Sequence, residues 1–280
     1  MQSIPFIFQK IPGFTTFLSK KRFIRIISDR SANGKEVFLN LGCGTKYHRD
    51  WINIDTRGNC DVIPWNLTKG LPIPDASVDV IYSSHVIEHF TPDDARKHLQ
   101  ECHRILKPRG IIRLVAPDLE KIARTYLTCL EDALRKEEGA SARYNWIMLE
   151  FLDQMVRHTS GGQMLAYWSQ PKIPAEDFIV SQVGVEYLRY RSHIAEQNST
   201  PQPSSHDPLS VGLFRLCGEV HQWMYDRYSL SRLLRETGFS KVTQVTSTQS
   251  SILDFQSYNL DTEADGSIYK PDSLYIEGMR

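Results

Sequence analysis

The sequence has no excess of either charge, because 33 Lys and Arg residues balance 33 Asp and Glu residues among 280. A neutral chain carries no electrostatic footprint for nucleic acid, so we expect no nucleic-acid partner. No apolar run approaches the roughly 18 residues that a membrane-spanning helix needs. We also expect no secretory signal, because the charges follow the first apolar stretch and no clean apolar core appears.

Cysteine is scarce and scattered. The five cysteines are an odd number at wide spacing, and no C-x-x-C pair occurs. This usage argues against a disulfide framework and against a zinc site built from cysteines. It predicts reduced thiols in a cytoplasmic protein.

The N-terminal segment is more basic than the rest of the chain. Residues 1–30 hold six basic residues against one acidic residue, a net charge of +5, together with five phenylalanines. A basic amphipathic segment can make peripheral contact with an anionic membrane surface. It can also pack on the domain that follows, which is the interpretation we favour. We assign residues 1–36 to an N-terminal arm.

Residues 37–117 alternate between strand and helix patterns. The predicted strands are VFLNL, WINID, CDVIPW, VDVIYSS and IIRLVA. Residues 91–110 predict a helix with Thr91 as its N-cap and its end at residues 107–110. This alternation predicts an α/β, Rossmann-like fold, in which a seven-stranded, mainly parallel sheet carries helices on both faces.

The pattern changes after the fifth predicted strand. Residues 118–220 predict a mostly helical insertion that covers the substrate, with most of its tyrosines and tryptophans in its own core. Within it, the Pro- and Ser-rich residues 198–210 predict an exposed, mobile loop. Residues 221–280 predict a capped helix at 229–239 and two strands, KVTQVT and SLYIEGM, which complete the sheet.

Two glycines and an aspartate mark the ends of neighbouring strands. Gly42 and Gly44 follow the first strand, and Asp55 ends the second. Ligands of open α/β sheets bind beyond the carboxyl ends of the strands. Glycine permits a tight turn and close approach of a ligand, and a carboxylate can accept both hydroxyls of a ribose. The combination predicts a nucleoside site.

The same stretch disfavours a dinucleotide. A G-x-G-x-x-G fingerprint needs a third glycine where Tyr47 stands, and an acidic residue about 20 positions on. Asp55 follows Gly44 by only 11 positions, too few for a full crossover helix. A nicotinamide or nucleotide-sugar enzyme is therefore a weaker alternative than a protein that binds a nucleoside without a pyrophosphate.

Four stretches in order, LNLGCG, NID, WNLTKGLPIPDASVDVIYSSHVIEH and RILKPRGIIRLVAPD, resemble the class I S-adenosylmethionine-dependent methyltransferases. The likeness is closest to the broad bacterial group that includes the ubiquinone-biosynthesis type enzymes. It covers about residues 37–118 and resumes in HQWMYDRYSLSRLLRETGFSKV. Order and spacing carry it, rather than any single motif. The resemblance implies S-adenosylmethionine as cofactor and a methyltransferase activity of class EC 2.1.1.-.

The resemblance also implies roles for residues at the strand ends. Asp55 would hold the ribose diol, the two glycines would pass under the methionyl part, and Asn66 would meet the adenine amino group. The full set of implied cofactor-binding residues is Asn40, Leu41, Gly42, Gly44, Asp55, Asn66, Leu67, Ser83 and Ser84.

Asn40 departs from the family pattern, which has an acidic residue there. Its amide can still hydrogen-bond the cofactor, but without an opposite charge. This departure keeps open an alternative function, that of a catalytically inactive methyltransferase-like protein that binds the cofactor or a partner.

The stretch His85-Val-Ile-Glu88-His89 also spells H-x-x-E-H, the zinc motif of inverted zincins. On a helix, the two histidines would share one face. One alternative is a zinc peptidase, and another is an ion that orients a substrate oxygen. Glu88 and His89 can also cap and orient the start of the next helix, the interpretation we favour for His89. Because the stretch follows a buried strand in the methyltransferase order, we expect no metal ligands.

Methyl transfer to an oxygen needs alignment and a base. The candidate catalytic residues are His85, whose position faces the methyl group in the resemblance, and His221. A helix-entry residue bonded to backbone remains an equal interpretation of His221. Asp118 can line the cleft or cap the following helix, and we favour the cap.

The sequence therefore predicts an S-adenosylmethionine-dependent methyltransferase acting on a small-molecule, saccharide or lipid-linked acceptor. It identifies neither the acceptor nor the oligomeric state.

Overall fold

The computed structural model describes residues 13–196 and 207–280, with side chains from 20 to 192 and from 207 onward. Its strands are β1 (Phe38–Leu41), β2 (Ile52–Asp55), β3 (Val62–Pro64), β4 (Val78–Ser84), β5 (Leu106–Pro117), β6 (Ser240–Val245) and β7 (Ser273–Met279). They form one sheet in the order β3-β2-β1-β4-β5-β7-β6. The first five run parallel, and β7 runs antiparallel to β5 and β6. The predicted seven-stranded, mainly parallel sheet is confirmed.

The α-helices in the described part of the chain are α1 (Gly13–Ala32), α2 (Pro92–Ile105), α3 (Leu119–Leu134), α4 (Ala140–Val156), α5 (Gly162–Trp168), α6 (Glu176–Val183), α7 (Val185–Glu196), α8 (Pro208–Arg215) and α9 (Arg227–Glu236). Short 3-10 helices lie at Leu67–Lys69, Ile87–His89 and Phe255–Tyr258. Most of the predicted loop at 198–210 lies outside the described residues, but its last residues begin α8.

The two faces of the sheet are covered differently. Leu39 and Leu41 point into the main core, which α1, α2 and α9 close from outside. Phe38 points the other way, where Trp51 and the 3-10 helix at Phe255 pack over it. The period-2 alternation of a strand therefore sends successive β1 residues into two separate cores.

The helix that follows β4 begins where the sequence predicts and ends sooner. Thr91 caps α2, its hydroxyl accepting the N–H of Asp94 at 3.3 Å. The helix stops at Ile105, and β5 begins at Leu106, five residues before the predicted strand. Leu106 pairs with Val78, and the register shifts before the next pair, Val80 with Ile111. Residues 107–110, which the sequence predicts as the end of the helix, therefore lie in β5.

The described part of the N-terminal arm packs on the domain. Phe23 and Ile27 of α1 are buried in the main core, and the Phe23 ring meets Trp65 edge to face at 5.7 Å. Arg22 donates to the Cys60 carbonyl at 2.6 Å. This matches the interpretation we favoured, although the phenylalanines at 6 and 8 lie outside the described residues. Among the helices described, none is long and apolar enough to cross a bilayer.

The insertion has a core of its own, as predicted. Trp146 stacks on Trp168 at 5.8 Å, and Tyr187 meets Trp168 edge to face. A second cluster lies between α3 and α4, around Ile122 and Ile147. Most of the aromatic residues of this region are therefore structural.

A fully buried arginine ties the antiparallel edge of the sheet to the loop that follows β6. Arg113 of β5 donates from Nε to Asp261 at 2.8 Å and from Nη1 to Glu277 of β7 at 2.7 Å. Tyr82 donates to the other Asp261 oxygen at 2.6 Å. The guanidinium carbon lies 4.5 Å from the centre of the Phe255 ring. Removing the cation would leave two buried carboxylates without an opposite charge, although Tyr82 and Ser250 still donate hydrogen bonds to them.

We therefore expect Arg113→Met to lower the free energy of unfolding by about 3–5 kcal/mol, the usual cost of breaking a buried ion pair from one side. Urea denaturation measures the change. Arg96→Met is the matched control, because Arg96 pairs with Glu236 at 2.7 Å in solvent, and such a pair contributes at most about 1 kcal/mol. Equal small losses in both variants would contradict the prediction.

Candidate functional site

The turn after β1 has the backbone that only glycine adopts easily. Gly42 and Gly44 have φ of 69° and 52°. The N–H groups of Gly42 and Cys43 both donate to the Ile54 carbonyl, at 2.8 and 3.1 Å. A Cβ on Gly42 would lie 2.3 Å from a methyl carbon of Val86. The chain therefore turns back across the end of β2 in a space that admits no side chain at this position.

Asp55 is joined to this turn. Its Oδ2 accepts the Gly44 N–H at 2.8 Å, and its Oδ1 accepts the Thr56 N–H at 2.7 Å. The residue is buried. Oδ1 also accepts the Thr56 hydroxyl at 3.1 Å and the Arg57 N–H at 3.5 Å. Of the roughly four lone-pair sites of a carboxylate, the remaining one is on Oδ2, where a ligand can donate to it. The structure thus brings Gly42, Gly44 and Asp55 together, as the sequence predicts.

Two asparagines hold the connection from β1 to β2, which contains no helix. The Asn40 amide donates to the Lys46 carbonyl at 3.1 Å and to Asn53 Oδ1 at 3.3 Å. Asn53 donates in turn to the carbonyls of His48 and Trp51. Asn40 therefore fastens the loop, a task for which a carboxylate lacks the donor. A direct contact of Asn40 with the cofactor stays a prediction.

The remaining predicted cofactor residues lie at the same edge of the sheet, with varied exposure. Asn66 follows β3, and its Oδ1 accepts the N–H and hydroxyl of Thr68 at 2.9 and 2.7 Å. Leu67 packs in the main core. Ser83 donates to the Leu41 carbonyl at 3.2 Å, joining β4 to β1. Their contacts with a cofactor also stay predictions.

His85 follows β4 in the left-handed region, with φ of 53°. Its Nε2 lies 2.8 Å from the Ser273 hydroxyl, and its Nδ1 lies 3.4 Å from Glu88 Oε1. Burial lowers the pKa of His85 well below its usual range, and Lys270 adds to the effect. The ring is therefore neutral near pH 7, and the lowered pKa makes it a weaker base than a free imidazole. The helical spacing considered for H-x-x-E-H is wrong, because only Ile87–His89 form a 3-10 turn.

His221 comes to the same place from a distant part of the chain. Its ring meets His89 edge to face at 4.8 Å between centroids. One ligand-type atom from each of Glu88, His89 and His221 lies within 4.8 Å of the others. Burial raises the pKa of Glu88 to about 8 and lowers that of His89 to about 3. Both candidate bases thus border one buried polar cluster.

Further polar groups in this region escaped the sequence analysis. The Tyr225 hydroxyl, one oxygen of Glu150 and one of Asp272 are buried without a hydrogen-bond partner in the described part of the chain. Burial raises the pKa of Asp272 to about 6. Only Glu150 gave a signal, as a lone charge inside the apolar stretch IMLEFL. Asp118 is the α3 N-cap that we favoured, accepting the N–H groups of Glu120 and Lys121.

Glu150 should make stability depend on pH. Burial, with Asp272 nearby, raises its folded pKa from 4.5 to about 8, so its stabilising contribution is complete below about pH 4.5 and is lost as the pH rises to about 8. Glutamine cannot ionise, so we expect the free energy of unfolding of Glu150→Gln to fall less than that of the wild type between pH 5 and pH 8.5. Urea denaturation at both pH values measures it.

Glu131→Gln, at an exposed position of α3, is the control and should follow the wild type at both pH values. A Glu150→Gln variant that also runs parallel to the wild type would show that this carboxyl titrates normally in the folded protein.

Part of this chain is similar in sequence to known proteins. Residues 46–114 match a family model described as a methyltransferase domain. A probable S-adenosylmethionine-dependent methyltransferase of Mycolicibacterium smegmatis is 41% identical over 104 residues, which are 30% of this chain and 39% of that protein. A second one, from Mycobacterium tuberculosis, is 40% identical over 99 residues, 29% of this chain and 35% of that protein. The matches thus span less than half of these relatives.

A solved S-adenosylmethionine-dependent methyltransferase of Archaeoglobus fulgidus aligns over 95% of this chain and 99% of its own, at 12% identity and a TM-score of 0.39. The superposition is loose, so the fold assignment rests on the strand order and register described above.

Proposed function

We propose that this chain, a member of the class I S-adenosylmethionine-dependent methyltransferases, transfers a methyl group to a small polar acceptor. The matched methyltransferase domain supports the family, and the sheet order supports the fold. The observation that carries the proposal is the Gly44–Asp55 bond of 2.8 Å at the carboxyl edge of the sheet. It holds a buried carboxylate beside a tight turn that contains two glycines.

These residues fit the cofactor. Asp55 is oriented by the Gly44 and Thr56 N–H groups, and its Oδ2 keeps a lone pair for a ribose hydroxyl. The positive φ of both glycines allows the tight turn beside it. Asn66 and Leu67 would face the adenine, and Ser83 and Ser84 the methionyl tail. When bound, S-adenosylmethionine supplies an electrophilic methyl group on a sulfonium.

His85 is the residue we assign to the acceptor proton. Its imidazole is neutral, Glu88 lies at its Nδ1, and its Nε2 faces a hydroxyl, that of Ser273. An acceptor hydroxyl in place of the serine hydroxyl would lie within reach of Nε2. Glu88 would orient the ring through Nδ1. Because its pKa is raised to about 8, it is mostly protonated near pH 7 and adds little negative charge there.

The acceptor we propose is a small molecule rich in hydroxyl groups, of which a saccharide is the example the site fits best. Its donors would satisfy the unpartnered oxygens of Glu150 and Asp272, which otherwise each cost about 1–3 kcal/mol. The insertion would exclude water above it. A lipid-linked saccharide offers the same chemistry.

The free state of all five cysteines supports a cytoplasmic setting.

Asp55→Asn tests the cofactor site. It keeps the shape but gives up the negative charge, so we expect S-adenosylmethionine and S-adenosylhomocysteine to bind at least about tenfold more weakly, since a charge-assisted hydrogen bond contributes about 1.5–3 kcal/mol. Calorimetric titration measures this, with NAD as the negative ligand. Asp61→Asn, at an exposed position, is the control. Unchanged affinity in a folded Asp55→Asn variant would reject this site.

His85→Asn tests the base. Asparagine tolerates the positive φ of this position, so cofactor affinity should stay within about threefold, while turnover falls by about 10²–10⁴, the usual contribution of a general base. Release of S-adenosylhomocysteine is followed against a panel of sugars and other hydroxylated molecules.

His48→Asn, at a surface turn, is the control and should retain full turnover. A wild type that binds the cofactor but releases no S-adenosylhomocysteine with any acceptor would favour the non-catalytic alternative. Full turnover in His85→Asn would remove this histidine from the reaction.

A further inference from the structure

Three side chains that the chain keeps far apart in sequence form a compact ligand set beside His85. Glu88 and His89 lie on the 3-10 turn after β4, and His221 lies in the extended segment before α9. The backbone fixes this meeting, because Gln222 N donates to the Glu88 carbonyl at 2.7 Å. His221 N donates to the Gln154 carbonyl of α4 at 2.9 Å.

All three side chains are buried, and their polar atoms are unsatisfied. Relative exposures are 0% for Glu88, 9% for His89 and 4% for His221. Neither Glu88 oxygen, nor the Nδ1 of either histidine, has a hydrogen-bond partner within the described ranges. Buried polar atoms are paired in the great majority of cases, and unpaired ones point to a water or an ion. A bound water or ion would complete this cluster.

We propose that Glu88, His89 and His221 bind a divalent transition-metal ion, zinc being the best match. Two imidazoles and one carboxylate are the donor set of zinc sites that keep an open coordination position. Magnesium and calcium are disfavoured, because they prefer oxygen ligands throughout.

The distances allow such a site with small movements. Ligands around a tetrahedral zinc with bonds of about 2.0 Å lie about 3.3 Å apart. The three ligand atoms here lie within 4.8 Å of one another. Side-chain movements of about 1 Å would bring these atoms to the separation that tetrahedral zinc needs.

The site differs from the H-x-x-E-H pattern in its ligands. His85 is outside the set, since its two nitrogens face Ser273 and Glu88. His221 replaces it, so the motif read along the sequence supplies only two of the three donors. The open coordination position would face the region in which His85 meets the acceptor, where a bound ion would polarise an acceptor oxygen.

Metal uptake by the purified full-length protein tests the inference directly. After treatment with a chelator, the protein is titrated with zinc by calorimetry, and with cobalt(II), whose visible absorption reports its ligands. We expect about one equivalent to bind, as for a single structural or catalytic site. His221→Phe and Glu88→Gln should each weaken binding by at least about tenfold, because each removes a ligand or its charge.

The variants are chosen to keep the packing. Phenylalanine at 221 preserves the edge-to-face ring contact with His89, and glutamine at 88 preserves the side-chain shape. The matched control is His98→Phe, which alters another buried histidine, one stacked on Phe90 at 4.8 Å. It should bind zinc like the wild type.

Absence of zinc and cobalt binding by the wild type would overturn the proposal, as would undiminished binding by folded Glu88→Gln and His221→Phe. If one variant does not fold, the other decides. The outcome is independent of the methyltransferase assignment, because zinc binding requires neither S-adenosylmethionine nor turnover. A protein that binds zinc but not the cofactor would retain this inference and reject the proposed function.

Discussion

The hydrogen bond from the Gly44 N–H to the Asp55 carboxylate joins the turn after β1 to the end of β2. Around it, the chain reverses in only ten residues, 42–51, without a helix between two parallel strands. Such a short parallel connection leaves the backbone polar groups of the loop to be satisfied by side chains. Asp55, Asn40 and Asn53 supply these partners, so side chains of the protein itself organise this edge of the sheet.

The need to satisfy the backbone polar groups of this loop explains why Asn40 differs from the acidic residue of the family pattern. Its amide nitrogen donates to the Lys46 carbonyl, and a carboxylate at the same place would present an acceptor to an acceptor. The residue sits on the Phe38 face of β1, away from the Leu41 face. Its neutrality thus follows from the loop it holds, and is no argument by itself against cofactor binding or catalysis.

Local patterns predicted the parts of the molecule that local forces determine. The strands VFLNL and VDVIYSS, the Thr91 cap and the Asp118 cap follow from residue type and spacing alone. Gly42 was also predictable as a turn glycine, but its steric reason was not, because Val86 lies 44 residues further on and contacts it only in the folded chain. The early start of β5 was missed because its pairing with Val78 overrides the helix-ending signals at 107–110.

The cluster of Glu88, His89 and His221 could not be predicted from local sequence patterns. His85 and Glu88 could be read as neighbours, but nothing in sequence links them to His221, 133 positions after Glu88. The link is made by the insertion: α4 offers the Gln154 carbonyl to His221, and Arg157 lies 3.7 Å from Glu219 just before it. The helices of the insertion therefore also position His221 beside Glu88 and His89. Under the proposed function, the sheet edge at Gly44 and Asp55 would hold the cofactor, and the insertion would act on the acceptor by positioning this histidine.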